Sequence, residues 1–187
     1  KQMVSNSIAI FNSNDIFSTG ADSTLPFEQH RNIFYLSGVD QEESILLVFP
    51  DAKNELHREI LFVKETNDLI SIWEGSKLSK RQATTSSGIK TVYWLEEFES
   101  IFSQLMEEST HFYYNNNEHY RQAVVMETRE DRFLKMIKSS YPDHKLLPNF
   151  PIMESLRGVK EVEEIKLIKT ACDITEKGFR RILGFVK

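Results

Sequence analysis

The stretch PFEQHRNIFYLSGVDQEESILLVFPD, residues 26–51, contains two runs of residues that favour β-structure. Residues 33–36 and residues 45–49 are rich in aliphatic and aromatic side chains, and Gly, Asp and Pro residues separate and follow them. A third such run, residues 59–64, follows after a short polar loop. Because strands joined by short links usually pair with their sequence neighbours, this part of the chain predicts an antiparallel meander.

Further strand and helix signals extend in both directions from this stretch. Upstream, residues 4–12 predict a first strand, and residues 13–27 have the composition of a loop. Downstream of residue 66, strand signals alternate with the apolar spacing of amphipathic helices. The predicted elements there are two short helices, the second begun by Ser76 or Ser79 and ended by Gly88, a strand at 91–94, a helix at 96–107, a strand at 111–115, a helix at 121–140 and a strand at 145–148. This alternation predicts an α/β domain with a mixed sheet.

The last 37 residues, 151–187, have a different pattern. A short helical turn, a break at Gly158 and one long amphipathic helix are predicted, with apolar residues every three or four positions. The apolar stripe continues into the last turns, whereas a free end is usually polar. We therefore expect a further part of a larger protein to cover this helix, and we expect Cys172 to be a buried, unreactive thiol.

Composition limits the classes of protein to consider. The chain has 187 residues, 27% of them charged, and a net charge of −5, which argues against a nucleic-acid surface. No apolar run approaches the roughly 20 residues of a membrane span, so no membrane partner is expected. The single cysteine, Cys172, is compatible with a reducing compartment.

The sequence contains none of the common catalytic or metal-binding motifs. Five histidines are present, and none is paired at the spacing that metal ligands favour: His30, His57, His111, His119 and His144. There is no G-x-S-x-G nucleophile motif and no glycine-rich phosphate loop. We interpret the acidic groups at 42–43, 96–97 and 161–164 as solvated faces, so no catalytic or metal-binding residue is predicted here.

Residues 156–179, LRGVKEVEEIKLIKTACDITEKGF, resemble the helix that opens the metallopeptidase domain in the aminopeptidase P, prolidase and creatinase family. The pattern Leu-Arg-x-Val-Lys-x-x-x-Glu-Ile-x-x-Ile-x-x-Ala-x-x-Ile-Thr is matched in register by Leu156, Arg157, Val159, Lys160, Glu164, Ile165, Ile168, Ala171, Ile174 and Thr175. Most of these are framework residues, so the match concerns family membership rather than chemistry.

Two further segments resemble the N-terminal domain of aminopeptidase P. Residues 26–38 are similar to its pattern Phe/Tyr-Arg-Gln-x-x-x-Phe-x-Tyr-Leu-Thr-Gly, with Glu28 where the family often has Arg. Residues 73–75, Trp-Glu-Gly, are similar to its Trp-x-Gly loop. The resemblance implies that Trp73 and Gln29 contact substrate or a neighbouring subunit, although a tryptophan is as often a core residue.

The resemblance implies the following organisation and activity. Residues 1–150 would form the non-catalytic domain, a mixed sheet with helices on both faces, and residues 151–187 a linker and the first helix of a pita-bread catalytic domain. The parent protein would be a cytoplasmic homo-oligomer that removes the residue preceding proline, using two divalent metals, usually manganese. This domain would shape the active-site cleft, and alone it would be inactive. The alternatives are a catalytically dead binding module, as in the large subunit of the FACT histone chaperone, or a relative of prolidase or creatinase.

Overall fold

The computed structural model describes residues 2–21, 23–116 and 126–186. The chain divides into two compact units, Lys1–Phe150 and Pro151–Lys187. Among the described residues, no helix combines the length and the apolar character that crossing a lipid bilayer requires.

The first unit holds eight described strands and most of the helices. The strands are β1 (Ser7–Asn12), β2 (Ser18–Gly20), β3 (Ser23–Thr24), β4 (Ile45–Val48), β5 (Glu59–Val63), β6 (Thr91–Trp94), β7 (His111–Tyr114) and β8 (Lys145–Pro148). The described helices of the chain are α1 (Arg31–Ser37), α2 (Asp68–Glu74), α3 (Lys80–Ser87), α4 (Phe98–Glu108), α5 (Arg129–Ser140), α6 (Phe150–Gly158) and α7 (Val162–Phe185). Single 3-10 turns lie at Glu55–His57 and Leu95–Glu97.

Six strands form one mixed sheet in the order β6-β5-β4-β1-β7-β8, and β2 and β3 form a small separate hairpin. In the large sheet β4 runs antiparallel to β1 and β5, while the pairs β1–β7, β7–β8 and β5–β6 are parallel. The carboxyl ends of β1, β7 and β8 therefore meet at one edge of the sheet. The predicted mixed sheet is confirmed.

Helices α4 and α5 cover one face of the sheet. The core on this face combines alternate strand residues with residues from both helices, because successive side chains of a strand point to opposite faces. Its fully buried members include Ile8, Ile10, Leu47, Ile60, Phe62, Phe112, Leu105, Met106 and Ile137. Several aromatic rings meet here, and Phe62 contacts Phe98 edge-to-face with 5.1 Å between ring centroids.

Helices α1 and α3 cover the other face. Helix α1 contacts β1 and β4, and α3 contacts β5 and β6. The buried residues Ile33 of α1 and Ala83 of α3 face the strand positions between those of the first core, such as Leu46 and Leu61. All six residues of β1 are buried, as expected for a central strand covered on both faces.

The prediction of a strand at residues 33–36 is wrong, since these residues lie in helix α1. Local capping outweighs the β-propensity of the run: the His30 ring accepts a hydrogen bond from the Asn32 N–H, and Gly38 ends the helix in the left-handed conformation at φ 66°. The predicted meander therefore lacks its first member. Strand β1 takes that place and pairs antiparallel with β4.

Most other predicted elements are confirmed with small changes at their ends. Ser79 forms a capping box with Gln82 at the start of α3, and Gly88 ends that helix as predicted. The loop predicted at 13–27 contains the β2–β3 hairpin. The helix predicted at 121–140 begins at Arg129, because Thr128 caps it, and the predicted residues 121–125 lie outside the described part of the chain.

The second unit contains α7 and all of α6 except its first residue. Apart from Glu164, every residue of α7 is exposed, including the apolar stripe predicted from the sequence. Cys172 is exposed as well, so the prediction of a buried thiol is wrong. The spacing of its apolar neighbours defines a helix face, and that face is not buried within this chain.

Candidate functional site

Gln29 lies just before α1 and holds the loop that follows this helix. Its Nε2 atom donates hydrogen bonds to the carbonyl oxygens of Val39 (3.2 Å) and Gln41 (2.8 Å) and to Ser44 Oγ (3.3 Å). Its Oε1 atom accepts a hydrogen bond from the His30 N–H at 2.8 Å. Both ends of the Gln29 amide are therefore engaged within the domain, and this residue fixes the loop of residues 39–44.

The same loop holds the chain segment that follows α2. The Oε1 atom of Gln41 accepts a hydrogen bond from the Leu78 N–H at 2.7 Å. Glu42 forms an ion pair with Lys77, whose side chain is almost completely buried. Burial would raise the pKa of Glu42, but the hydrogen bond and the charge of Lys77 outweigh this effect and hold that pKa below its ordinary value. A chain of contacts thus runs from Gln29 to the segment beginning at Gly75.

The backbone of Trp73 lies in the last turn of α2, and Gly75 follows it with φ 80°. The Trp73 side chain lies outside what the structure describes. Glu28, at the position where the resemblance leads us to expect Arg, is exposed, and its carbonyl oxygen accepts a hydrogen bond from Asn14 Nδ2 at 2.9 Å. The contacts of Gln41 and Glu42 reach Leu78 and Lys77, which follow the Trp-x-Gly segment in sequence. The role of Trp73 and Gln29 toward a ligand stays a prediction.

Helix α1 presents two aromatic side chains to solvent. Phe34 is 49% exposed and Tyr35 is 36% exposed, while Ile33 and Ser37 occupy the buried side of the same helix. The exposed pair belongs to the motif at residues 26–38. Because α1 is a helix rather than a strand, adjacent residues of this motif point in different directions around its axis.

The described histidines make local contacts that are compatible with structural roles. His144 Nε2 lies 3.0 Å from both Ser109 Oγ and the Met106 carbonyl oxygen, and His111 Nδ1 lies 2.9 Å from Thr110 Oγ1. His119 lies outside the described residues. In the described ranges, no three His, Cys, Asp or Glu side chains come together in a group that could hold a metal ion.

A buried polar cluster at the carboxyl ends of β1 and β7 was not predicted. Glu130, the second residue of α5, accepts hydrogen bonds from the Asn12 N–H (3.2 Å), from Asn12 Nδ2 (3.0 Å) and from Asn115 Nδ2 (3.1 Å). Asn115 Nδ2 also reaches the Ile10 carbonyl oxygen, and Asn115 Oδ1 accepts from Asn32 of α1. The partners are far apart in sequence, so no local pattern could have indicated this cluster.

Burial dominates the electrostatics of the cluster. It raises the pKa of Glu130 to about 7, against the opposing effect of the hydrogen bonds from Asn12 and Asn115 and of the Arg129 charge. Burial also lowers the pKa of Arg129, which donates a hydrogen bond to Ser13 Oγ at 2.9 Å. The cluster therefore contains a carboxyl group that can change its charge close to neutral pH.

The mixed six-stranded sheet with helices on both faces defines the molecule as an α/β domain, and a helical unit follows it. Residues 1–114 match the family model described as the aminopeptidase P, N-terminal domain. This match covers more than half of the chain, and the chain belongs to that family.

Individual relatives agree with this assignment. The Xaa-Pro aminopeptidase of Haemophilus influenzae is 24% identical over 158 residues, which are 84% of this chain and 34% of that protein. A Bacillus anthracis structure assigned to aminopeptidase P is 28% identical, with a TM-score of 0.84, and the match covers 95% of this chain and 42% of that one. The zinc-substituted Escherichia coli aminopeptidase P in complex with product shares the fold, with a TM-score of 0.73 and 21% identity over 93% of this chain and 40% of that one. The chain thus spans less than half the length of these relatives.

Proposed function

We propose that this chain is the non-catalytic N-terminal part of a cytoplasmic Xaa-Pro aminopeptidase, which removes the residue preceding proline from peptides. The observation that carries the proposal is the family match over residues 1–114, together with relatives that bear this activity in their names. In this proposal the domain forms one wall of the substrate cleft and contributes contacts between copies of the full-length protein. The apolar stripe of α7 packs against the catalytic domain.

The residues that the structure describes do not fit the two divalent metals, proposed to be manganese, that the reaction requires. A two-metal site needs several carboxylate and imidazole ligands at one place. The described parts of the chain provide no such group. The proposal therefore assigns the metals to the remaining part of the full-length protein and gives this chain no chemical step.

In this proposal Trp73 and Gln29 act differently. Gln29 acts through the loop of residues 39–44, since its amide is engaged there on both sides. That loop holds Leu78 and Lys77, which follow the Trp-x-Gly segment. Trp73 contacts the peptide substrate or a neighbouring subunit, as the family resemblance implies, and Gln29 helps to position its loop.

The proposal is tested by comparing the 187-residue chain with the full-length gene product on a peptide that has proline at its second position, with added manganese. We expect turnover by the full-length protein and none by the chain. Metal-dependent turnover by the chain alone would contradict its non-catalytic role. A full-length protein that binds peptides without cleaving them would instead support the binding module, and one restricted to Xaa-Pro dipeptides or to creatine would support a prolidase or creatinase relative.

A second experiment tests the role of Trp73 in the full-length protein. If Trp73 contacts the substrate, Trp73→Phe removes one favourable contact with the peptide and raises KM by roughly tenfold. Light scattering should show that the oligomeric state is unchanged. The matched control is Trp94→Phe, because Trp94 lies in β6 with the Lys80 ammonium 4.8 Å from its ring centre. Equal KM values for both variants and the parent would contradict the substrate contact.

A further inference from the structure

The Glu130 cluster joins three elements through one carboxyl group. Its donors come from Asn12 at the end of β1 and Asn115 just after β7, while Glu130 itself opens helix α5. Glu130 is 9% exposed, Asn115 4% and Asn12 1%. Because these contacts connect the start of α5 to two central strands, they decide how firmly this helix end is held on the sheet.

When Glu130 is ionised, one buried hydrogen-bond acceptor of the cluster has no donor in the described part of the chain. The three groups that contact the carboxylate are N–H donors, and an ionised carboxylate can only accept. The Oδ1 atom of Asn12 is buried and has no hydrogen-bond partner among the described residues. It belongs to the same carboxamide whose Nδ2 contacts Glu130. The cluster therefore lacks one donor next to Glu130, and leaving a buried acceptor unpaired is costly.

A proton on Glu130 supplies the missing donor. The protonated carboxyl group has one O–H that can be donated to Asn12 Oδ1, and its other lone pairs still accept from the neighbouring N–H groups. Protonation also removes a buried charge, which is itself expensive to keep away from water. Both effects favour the neutral group in this place.

The surrounding charges do not cancel this preference. Arg129 is the neighbouring charge on α5 that stabilises ionised Glu130, but it also faces Asp15, after β1, and Glu43, before β4. Its guanidinium group donates to Ser13 Oγ rather than to Glu130. Arg132, one turn further along α5, pairs with Asp15 at 2.6 Å. The Arg129 charge is thus shared among three carboxyl groups.

We propose that Glu130 is a proton-sensitive clasp between helix α5 and the carboxyl ends of β1 and β7. With its proton, Glu130 donates to Asn12 Oδ1, and the start of α5 is held on the sheet. When the proton passes to solvent, a buried charge and an unpaired acceptor remain, and the first turns of α5 open more often. This is a conformational device of the domain itself, and it does not depend on the enzymatic activity proposed above.

The direction of the pH effect follows from the raised pKa of Glu130, about 7 in the folded chain. A group whose pKa is higher in the folded state than in the unfolded state stabilises the fold fully at pH values below its unfolded pKa. This contribution is lost as the pH rises through about 7. The clasp therefore closes in mild acid and opens above neutral pH.

Amide hydrogen exchange of the chain at pH 5.5, 7 and 8.5 tests the proposal, with rates corrected for the intrinsic effect of pH. We expect protection factors in the first turns of α5 to fall by roughly tenfold or more across this range. Glu130→Gln carries a neutral amide that can donate to Asn12 Oδ1, so this variant should keep high protection at all three pH values. The matched control is Glu99→Gln, the same change at an exposed second residue of helix α4, which should behave like the parent chain.

Identical pH profiles for the parent chain and Glu130→Gln would overturn the proposal. If Glu130→Gln does not fold, carbon-13 NMR of the Glu130 side-chain carboxyl in the parent chain decides the question. A titration midpoint above pH 6 supports the clasp, and a midpoint near the ordinary value of 4.5 overturns it.

Discussion

Strand β5 and helix α7 contain the same types of apolar residue at regular spacing, yet their surroundings differ. Ile60 and Phe62 of β5 are completely buried, whereas Ile168 and Phe179 of α7 are 48% and 61% exposed. Side-chain periodicity identifies which face of an element is apolar. Whether that face lowers the free energy of the chain depends on the neighbours that cover it, because stabilisation scales with the area removed from water.

The largest expected difference between the two regions comes from removing one aromatic ring in each. Phe62→Ala leaves a cavity in the core where its ring contacts Phe98 and Tyr93, and should lower the free energy of unfolding by about 4 kcal/mol. Phe179→Ala removes an exposed ring and should change it by less than about 0.5 kcal/mol. Urea unfolding followed by circular dichroism measures both.

Similar losses for the two phenylalanine variants would mean that α7 is buried in solution, for example against a second copy of the chain. The dependence of the Phe179→Ala result on protein concentration would then identify self-association as the cause.

Breaking an ion pair should likewise lower the free energy of unfolding more at a buried position than at an exposed one, with smaller values than for the phenylalanine variants. Lys77→Met removes the partner of Glu42 in a largely buried pair and should cost about 2 kcal/mol. The matched change Lys53→Met breaks a contact of 3.9 Å to Glu108 at an 82% exposed lysine and should cost less than about 0.5 kcal/mol. Urea unfolding at neutral pH compares them.

The pH dependence of the Lys77→Met effect gives a separate check. The pKa of Glu42 is held below its ordinary value, so its pair contributes stability above the unfolded pKa and loses it as the pH falls through the folded pKa. The difference between the parent and Lys77→Met should therefore shrink in acid. A difference that stays constant down to pH 3 would show that Lys77 contributes through packing rather than charge.

The smallest expected effects are two glycine substitutions of opposite sign. Gly38→Ala places a side chain at φ 66° and should cost about 1 kcal/mol in the first unit, measured by urea unfolding. Gly178→Ala lies within α7, where an added Cβ meets no atom within 4 Å, and should increase helical content by favouring the helix by about 0.8 kcal/mol. A gain of stability in Gly38→Ala would contradict the left-handed helix end.

Much of the fold was predictable because its signals are local. The strand at Lys145–Pro148 and the helix between Ser79 and Gly88 follow from short runs and from capping residues that are adjacent in sequence. The mixed character of the sheet followed from the alternation of strands and helices. The run at 33–36 was misassigned because β-propensity is weak, and two capping contacts at its ends decided for a helix.

The candidate sites were less predictable, since their contacts depend on tertiary structure. Gln29 could be selected by resemblance, but its bonds to Val39, Gln41 and Ser44 depend on the path of a loop. The Glu130 cluster joins positions 118 residues apart in sequence, so neither its burial nor its pKa could be read from neighbouring residues. The exposure of Cys172 was missed because helical spacing indicates a face without showing what covers it.

The central position of β1 has a consequence for how the protein is made. Strand β1 is synthesised before the other described strands, and β4 can pair with it early, but its other side must wait for β7, where Ser7 pairs with His111. Until β7 has been synthesised, one edge of this fully buried strand is open to unwanted pairing with other chains. We therefore expect the growing polypeptide to depend on chaperones most strongly in the interval between the synthesis of β5 and that of β7.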